Sequence, residues 1–357
     1  MKYLKVLLCI LITVLLIFSV GCADNQQSVT PAATNGEILR VHFIDVGQGD
    51  STFIELPNGN TMLIDAGENE YGSVVSDYIE NLGYEKITYV IGTHPHSDHI
   101  GGMEEIIRGF DIGSVYMPKV STNTKTFEGL LEAISDKGLK ITSAVCGVNI
   151  IDTDNLKMEI LSPIKSEYDN LNNYSVVAKL TFYNNSFLFT GDAETEVEKE
   201  ITTDISCDVI KVGHHGSSTS SSDNFVKMTG AKYAVISCGK NNKYGHPHSE
   251  IIDRWMSAGA NILRTDISGN IVIESDGNNI KLSDNVTPVQ LESKVEQSSN
   301  EAVVKVTYIL NYSTKKIHKP ECKSVETMKE ENKVVSSESL KELLGEGYTK
   351  CGNCKPE

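Results

Sequence analysis

The chain has 357 residues, ordinary apolar and charged fractions (39% and 22%) and a formal net charge of −16. That length accommodates one large domain and a small one, and the charge excludes a surface coated in basic residues for general polyanion binding. A locally positive cleft stays open, because bound metal ions add charge that the formal count omits.

Lys2 and Lys5 precede an uncharged apolar run from Val6 to Val20, the pattern of an export segment. The run ends in Ser19-Val20-Gly21-Cys22, which resembles a bacterial lipobox with Ser19 where leucine is usual. Residues 1–22 then form a lipoprotein-type signal segment and Cys22 is the lipidation site; the alternative is an uncleaved anchor helix. Either outcome exports the chain and leaves it tethered to the membrane. Residues 23–37 are almost free of large apolar side chains and read as a flexible tether.

A hydrolase-sized domain is expected over residues 38–285. Residues 39–45 alternate like a strand and lead into Val46-Gly47-Gln48-Gly49-Asp50. Ser51–Glu55 and Thr61–Asp65 form a hairpin around Pro57-Asn58-Gly59-Asn60. A helix near 73–82 precedes a buried strand at 87–91, and helices at 103–108 and 126–137 flank a strand near 115–117. Strands follow at 157–161 and 176–182, the latter turning through Asn184-Asn185 into 186–190. The pattern continues with a helix at 194–201, a strand at 208–212, a helix at 223–229, a strand at 233–237 and a helix at 249–258. It closes with a hairpin over 261–274. Hairpins and βα units mix throughout, which places the domain in the α/β class as two mixed sheets with helices outside.

The strand at 87–91 ends in Thr93-His94-Pro95-His96-Ser97-Asp98-His99, three histidines and an aspartate within six residues of a chain that has nine histidines in all. Neutral imidazoles and carboxylates are the ligands that Zn²⁺ and Mn²⁺ prefer. In an extended loop alternate side chains converge, so His94 and His96 share one metal while Asp98 and His99 turn to a second. These residues fit HxHxDH, and on that motif the chain resembles the metallo-β-lactamase fold superfamily, whose fold is an αββα sandwich. The motif specifies the fold far better than the reaction.

The resemblance implies further ligands. Asp192, in Leu188-Phe189-Thr190-Gly191-Asp192, matches the carboxylate that bridges both metals in that superfamily. Val212-Gly213-His214-His215-Gly216-Ser217 and Tyr244-Gly245-His246-Pro247-His248 supply further imidazoles. Many members place a ligand histidine between HxHxDH and the bridging aspartate, but here Asn172-Asn173-Tyr174-Ser175 occupies that stretch. The expected set is therefore His94, His96 and His214 on one metal and Asp98, His99 and His246 on the other, with Asp192 bridging. His215 either exchanges roles with His214 or acts beside the metals as proton donor or phosphate contact. Asp65 is expected to orient the histidine loop, and His42 to lie on a strand face without function. Two divalent ions, Zn or Mn, would activate a shared water as the nucleophile and stabilise charge on substrate oxygens, with Asp98 and Asp192 holding that nucleophile in place.

Phe43-Ile44-Asp45-Val46-Gly47-Gln48-Gly49-Asp50-Ser51, Leu188-Phe189-Thr190-Gly191-Asp192-Ala193-Glu194, Lys211-Val212-Gly213-His214-His215-Gly216-Ser217 and Tyr244-Gly245-His246-Pro247 narrow the resemblance. Together they resemble the extracytoplasmic hydrolase domain of ComEC-type competence proteins and its stand-alone relatives. That implies a phosphodiesterase, with DNA the favoured substrate. The multi-span channel of those proteins is not in this chain, so no transport role is implied. Two rivals stand beside it: hydrolysis of a small or cell-wall phosphodiester, and a non-catalytic surface protein that binds nucleic acid.

Residues 286–302 read as a polar linker and 303–357 as a small module. Its His318, Cys322, Cys351 and Cys354 suit one closed tetrahedral zinc site, a staple that a unit with so few apolar side chains needs. The segment resembles the Ada-type zinc-binding module, with His318 where that module has cysteine; a Cys351–Cys354 disulfide is the alternative. Lys315, Lys316, Lys319 and Lys323 form either a phosphate grip or a solvated face. Cys146, Cys207 and Cys238 are expected as buried core thiols.

Overall fold

The computed structural model describes residues 36–289, apart from 285 and 287, and residues 308–356, apart from 312, 330, 331, 337–339 and 346. Cys22, the expected export segment over residues 1–22 and most of the expected tether lie outside the described residues. The chain divides into two compact units between residues 292 and 293.

The first unit holds two sheets. Strands β1 (Leu39–Phe43), β2 (Ser51–Glu55), β3 (Thr61–Ala66), β4 (Lys86–Ile91), β5 (Asp111–Met117) and β6 (Ile141–Ser143) lie in one. Strands β7 (Asn149–Asp152), β8 (Leu156–Ser162), β9 (Val177–Phe182), β10 (Asn185–Phe189), β11 (Val209–Lys211), β12 (Tyr233–Ile236) and β13 (Asn261–Arg264) form the other, in the order β13-β12-β11-β10-β9-β8-β7. The chain then returns to the first sheet as β14 (Ile271–Ser275) and β15 (Ile280–Leu282), giving β15-β14-β1-β2-β3-β4-β5-β6. Each sheet is antiparallel in one half and parallel in the other: β3 to β6 run parallel, as do β10 to β13.

Side-chain alternation separates the layers. Leu39, Val41 and Phe43 of β1 and Met62 and Ile64 of β3 pack with Leu180, Phe187, Phe189 and Val209 of the opposite sheet in one core between the sheets. The intervening Leu63, with Val90 and Ile87, faces the helices Gly72–Asn81, Met103–Gly109 and Lys125–Asp136. On the far side Leu188 and Ile210 face Val197, Phe225 and Trp255 of the helices Thr195–Glu200, Asp223–Thr229 and Ser249–Ser257. A period of two thus feeds two cores from one strand, and the result is the expected αββα sandwich.

The closing hairpin expected over 261–274 is corrected. Asn261–Arg264 pairs in parallel with β12, whereas Ile271–Ser275 crosses to the other sheet and pairs antiparallel with β1. A short helical turn, Thr265–Ser268, and Gly269 at φ +68° redirect the chain between them. The true closing hairpin is β14 with β15. Past residue 285, Val286 is buried against the inter-sheet core and Val289 bridges Ile262.

The second unit carries a four-stranded sheet, in the order β18 (Lys333–Ser336), β16 (Tyr308–Asn311), β17 (Lys316–His318) and β19 (Thr349–Lys350). Tyr308, Leu310, Ile317, Leu343 and Tyr348 are its buried core. That is little apolar surface for an independent fold. Among the described residues no helix is long and apolar enough to cross a membrane.

Candidate metal centre

Donors arrive where strands end. β4 leads through Thr93 into His94 and His96, and the single helical turn Ser97–Ile100 presents Asp98 and His99. β10 ends just before Asp192, and β11 runs into the turn Gly213–Gly216 that carries His214 and His215. A Cβ at Gly49 would collide with the Asp98 carbonyl, and the Asp50 amide donates to that same oxygen at 3.0 Å. The Gly47–Asp50 loop is thereby seated against the ligand turn.

Asp192 is the centre of the arrangement. Its Oδ1 lies 3.2 Å from His99 Nε2, and its Oδ2 lies 3.5 Å from His215 Nε2, 3.7 Å from His214 Nε2 and 4.0 Å from His94 Nε2. Asp98 Oδ2 is 3.4 Å from His215 Nε2, and His94 Nε2 is 3.0 Å from His96 Nδ1. Asp98, His99 and His215 form an inner group with Asp192, their ligand atoms all within 4.8 Å of one another; His94, paired with His96, and His214 approach Asp192 Oδ2 from further away and make an outer group. His99 Nε2, His215 Nε2 and Asp192 Oδ1 are all buried, yet among the described residues no hydrogen bond satisfies any of them. Buried lone pairs of imidazoles and carboxylates converging without hydrogen bonds fit a divalent cation.

Consecutive residues reach both groups because His214 and His215 both adopt left-handed backbone, φ 49° and 53°. That conformation costs a residue with a side chain on the order of 1 kcal/mol. It turns the two rings 66° apart with centroids separated by 6.1 Å. His215, rather than the expected His246, therefore completes the Asp98–His99 group. His246 stands outside both groups, its ring 5.6 Å from that of His214 and stacked on Tyr244.

Behind the donors stand two buried carboxylates. Asp65 Oδ2 meets His99 Nδ1 at 2.8 Å, and Asp65 also accepts from the Thr93 amide (2.8 Å) and hydroxyl (2.6 Å). Asp50, which sequence reasoning missed, lies 3.2 Å from His215 Nδ1 through Oδ1 and 2.6 Å from the buried Lys211 ammonium through Oδ2. The signal was present: Lys211 is a lone charge in an apolar strand, two residues before Gly213-His214-His215. In the stretch without a ligand histidine, Ser175 Oγ touches His94 Nδ1 at 3.3 Å and accepts the Asp192 amide at 3.0 Å.

Burial disfavours charge on His99 and His215, but carboxylates outweigh it: Asp192 and Asp65 for His99, Asp192 and Asp50 for His215. Both imidazoles are held well above their ordinary pKa before an ion binds. His94, whose burial dominates and is reinforced by His99, is pushed well below it. Metal must therefore displace protons from His99 and His215, so affinity is expected to rise with pH and fall as the solution is acidified. Adding Mn²⁺ to weakly buffered protein at neutral pH should release protons; a titration releasing none would contradict this charge assignment.

The donors open onto a cleft of about 330 Å³ that is also lined by Gln48, Glu68, Asn172, Tyr244 and His246. His42 is away from it, satisfied by Tyr78 (2.9 Å) and Glu55 (2.8 Å). Cys207 and Cys238 are buried as expected, whereas Cys146 is exposed, in the loop between β6 and β7. In the second unit the ligand atoms of His318, Cys322, Cys351 and Cys354 all lie within 4.8 Å of one another, and these three cysteines are free. Lys315 lies over the Tyr348 ring at 4.7 Å, and the Lys319 amide donates to Cys354 Sγ at 3.3 Å.

The fold and this donor set define a class, and comparison with known proteins agrees: the metallo-beta-lactamase superfamily matches residues 44–240. The chain belongs to that superfamily, whose active sites hold divalent metal. It is similar to ComE operon protein 3 of Bacillus subtilis (strain 168), 31% identical over 251 residues, which covers 65% of this chain and 32% of that protein. Recombination protein 2 of Haemophilus influenzae is 27% identical over 238 residues, covering 65% of this chain and 28% of its own length. Competence protein ComA of Neisseria gonorrhoeae is 28% identical over 249 residues, covering 68% and 33%. This chain thus spans about a third of these relatives. It is a metallo-hydrolase related to competence proteins.

Proposed function

We propose that the protein is an exported, membrane-tethered hydrolase that uses two divalent ions, Zn or Mn, to cleave phosphodiester bonds, with extracellular DNA as its substrate. One observation carries the two-metal reading: Asp192 stands between two donor groups, each with imidazoles aimed at it. His94, His96 and His214 hold the outer ion, Asp98, His99 and His215 the inner one, and Asp192 both. Such a pair supplies an activated water and charge stabilisation on the attacking and leaving oxygens. Gln48 and Asn172 on the cleft wall orient the phosphodiester. Burial and neighbouring imidazoles lower His246 to about 4, so it stays neutral at pH 7 and offers phosphate a hydrogen bond, not a proton. DNA is favoured by the similarity to competence proteins, and the anchor is Cys22 or the uncleaved apolar run before it.

A second reading, a small or cell-wall phosphodiester, is favoured by the cleft lining, which among the described residues includes Glu68 and no lysine or arginine. The experiment is hydrolysis of DNA by the full chain with Mn²⁺ or Zn²⁺, beside a His96→Ala variant. Cleavage lost in the variant supports the nuclease. Hydrolysis of bis-p-nitrophenyl phosphate without any cleavage of DNA would transfer the assignment to the smaller substrates.

The second unit we read as a zinc-stapled module for nucleic acid, held by His318, Cys322, Cys351 and Cys354. Among the described residues its buried core is five side chains, so metal binding is expected to contribute strongly to its folding free energy. Cys322→Ser is expected to lose zinc and expose residues 303–357 to limited proteolysis while the hydrolase unit resists. Equal resistance of both units would refute the staple.

A further inference from the structure

The two donor groups differ in what stands behind them. In the inner group both imidazoles have a buried carboxylate behind them: His99 Nδ1 meets Asp65 Oδ2 at 2.8 Å, while His215 Nδ1 donates to the Ser237 carbonyl at 3.0 Å with Asp50 Oδ1 3.2 Å away as its ionic neighbour. Asp50 is fixed in turn by Lys211, whose ammonium also donates to the Val212 carbonyl at 2.9 Å. In the outer group the backing is neutral. His94 Nδ1 meets the Thr93 and Ser175 hydroxyls at 3.1 and 3.3 Å, and His214 Nδ1 meets the Thr219 hydroxyl at 2.9 Å. The acid on that side, Glu194, stays 3.6 Å from His214 Nδ1. The inner group also has a carboxylate of its own, Asp98, where the outer group has three imidazoles and shares Asp192. A carboxylate on the far nitrogen fixes the ring and raises its basicity as a ligand, an effect typically worth about 10–100-fold in metal affinity.

We propose that Asp50, held by Lys211, is a positioning residue for His215, and that with Asp65 behind His99 it makes the inner metal position the tighter of the two. This rests on the two-metal reading. The outer position, whose imidazoles have neutral partners, fills last and exchanges with its surroundings. Hydrolysis therefore follows the level of free metal around the outer dissociation constant, so the enzyme is switched on by ambient divalent ion.

The test is a Mn²⁺ titration of the full chain followed by electron paramagnetic resonance, which counts free ion and distinguishes an isolated bound ion from a coupled pair. Mn²⁺ suits this because the nitrogen and oxygen donors of the hydrolase unit accept it and the thiolate cluster does not. Wild type is expected to load in two steps at least about tenfold apart, with the coupled signal and hydrolysis of bis-p-nitrophenyl phosphate both appearing in the second. Asp50→Asn should weaken the first step by about 10–100-fold, and Thr219→Ala only the second. Two equivalent steps in wild type would overturn the proposal, as would an Asp50→Asn variant that loads normally. If that variant does not fold, the wild-type gap and the Thr219→Ala titration still decide. Two-step loading without any phosphodiester hydrolysis would remove the functional reading and leave the metal asymmetry standing.

Discussion

Replacing Asp192 with asparagine is expected to abolish phosphodiester hydrolysis while the chain stays folded. The carboxylate faces both groups, within 3.2–4.0 Å of four imidazole nitrogens. Burial works against its charge, but His215 and His99 hold its pKa well below the ordinary carboxylate range. An amide of the same shape keeps the packing and removes the negative charge that two cations must share. The loss should be on the order of 10³ or more in turnover, since one preorganised electrostatic contact alone is commonly worth about 10²–10³. Metal content should fall with it. Comparing hydrolysis of bis-p-nitrophenyl phosphate with Mn²⁺ stoichiometry in the same preparation checks both; an Asp192→Asn variant that binds two ions and turns over normally would disprove the bridging role.

Lys211→Met is expected to be the most damaging single change to stability outside the apolar cores. Lys211 is 3% exposed and its ammonium sits 2.6 Å from Asp50 Oδ2 in a pocket that also contains His99 and His215. Burial raises the Asp50 pKa, and Lys211 is the leading contribution that brings it below the ordinary value. Removing one member of a buried pair strands the other, at a cost of about 3–5 kcal/mol. The urea midpoint measured in the presence of chelator should drop accordingly. Asp50→Leu combined with Lys211→Met should recover part of the loss, because two apolar groups replace a pair that no longer needs desolvation. A midpoint unmoved by Lys211→Met would mean that the pair contributes nothing to the fold.

Much of this was legible in the residues. The unbroken apolar runs Met62-Leu63-Ile64 in β3 and Phe187-Leu188-Phe189 in β10 announce strands covered on both faces, and the HxHxDH run names its own chemistry. Other features need three dimensions. The adjacent His214 and His215 read as alternatives for one role until the left-handed turn splays them toward different groups. His246 looked like a ligand because three imidazole clusters suggest three contributions, yet the histidine pair already serves both sides. Asp50 reads as part of a turn and Lys211 as a stray strand lysine; only their approach across the sandwich reveals a buried ion pair. The expected closing hairpin failed because hydrophobic alternation records that a segment is extended, not which sheet receives it.

The first strand sets a direction. β1 starts at Leu39, opposite Ser275 at the end of β14, and runs to Phe43, beyond which the chain forms the Gly47–Asp50 loop beside the ligand turn. Five residues of strand span about 16 Å, so the point where the upstream sequence enters and the mouth of the cleft lie at opposite ends of the sandwich. A tether pulling on residue 38 would hold the hydrolase by its base. On the proposed N-terminal anchoring, the metal cleft would then face away from the membrane.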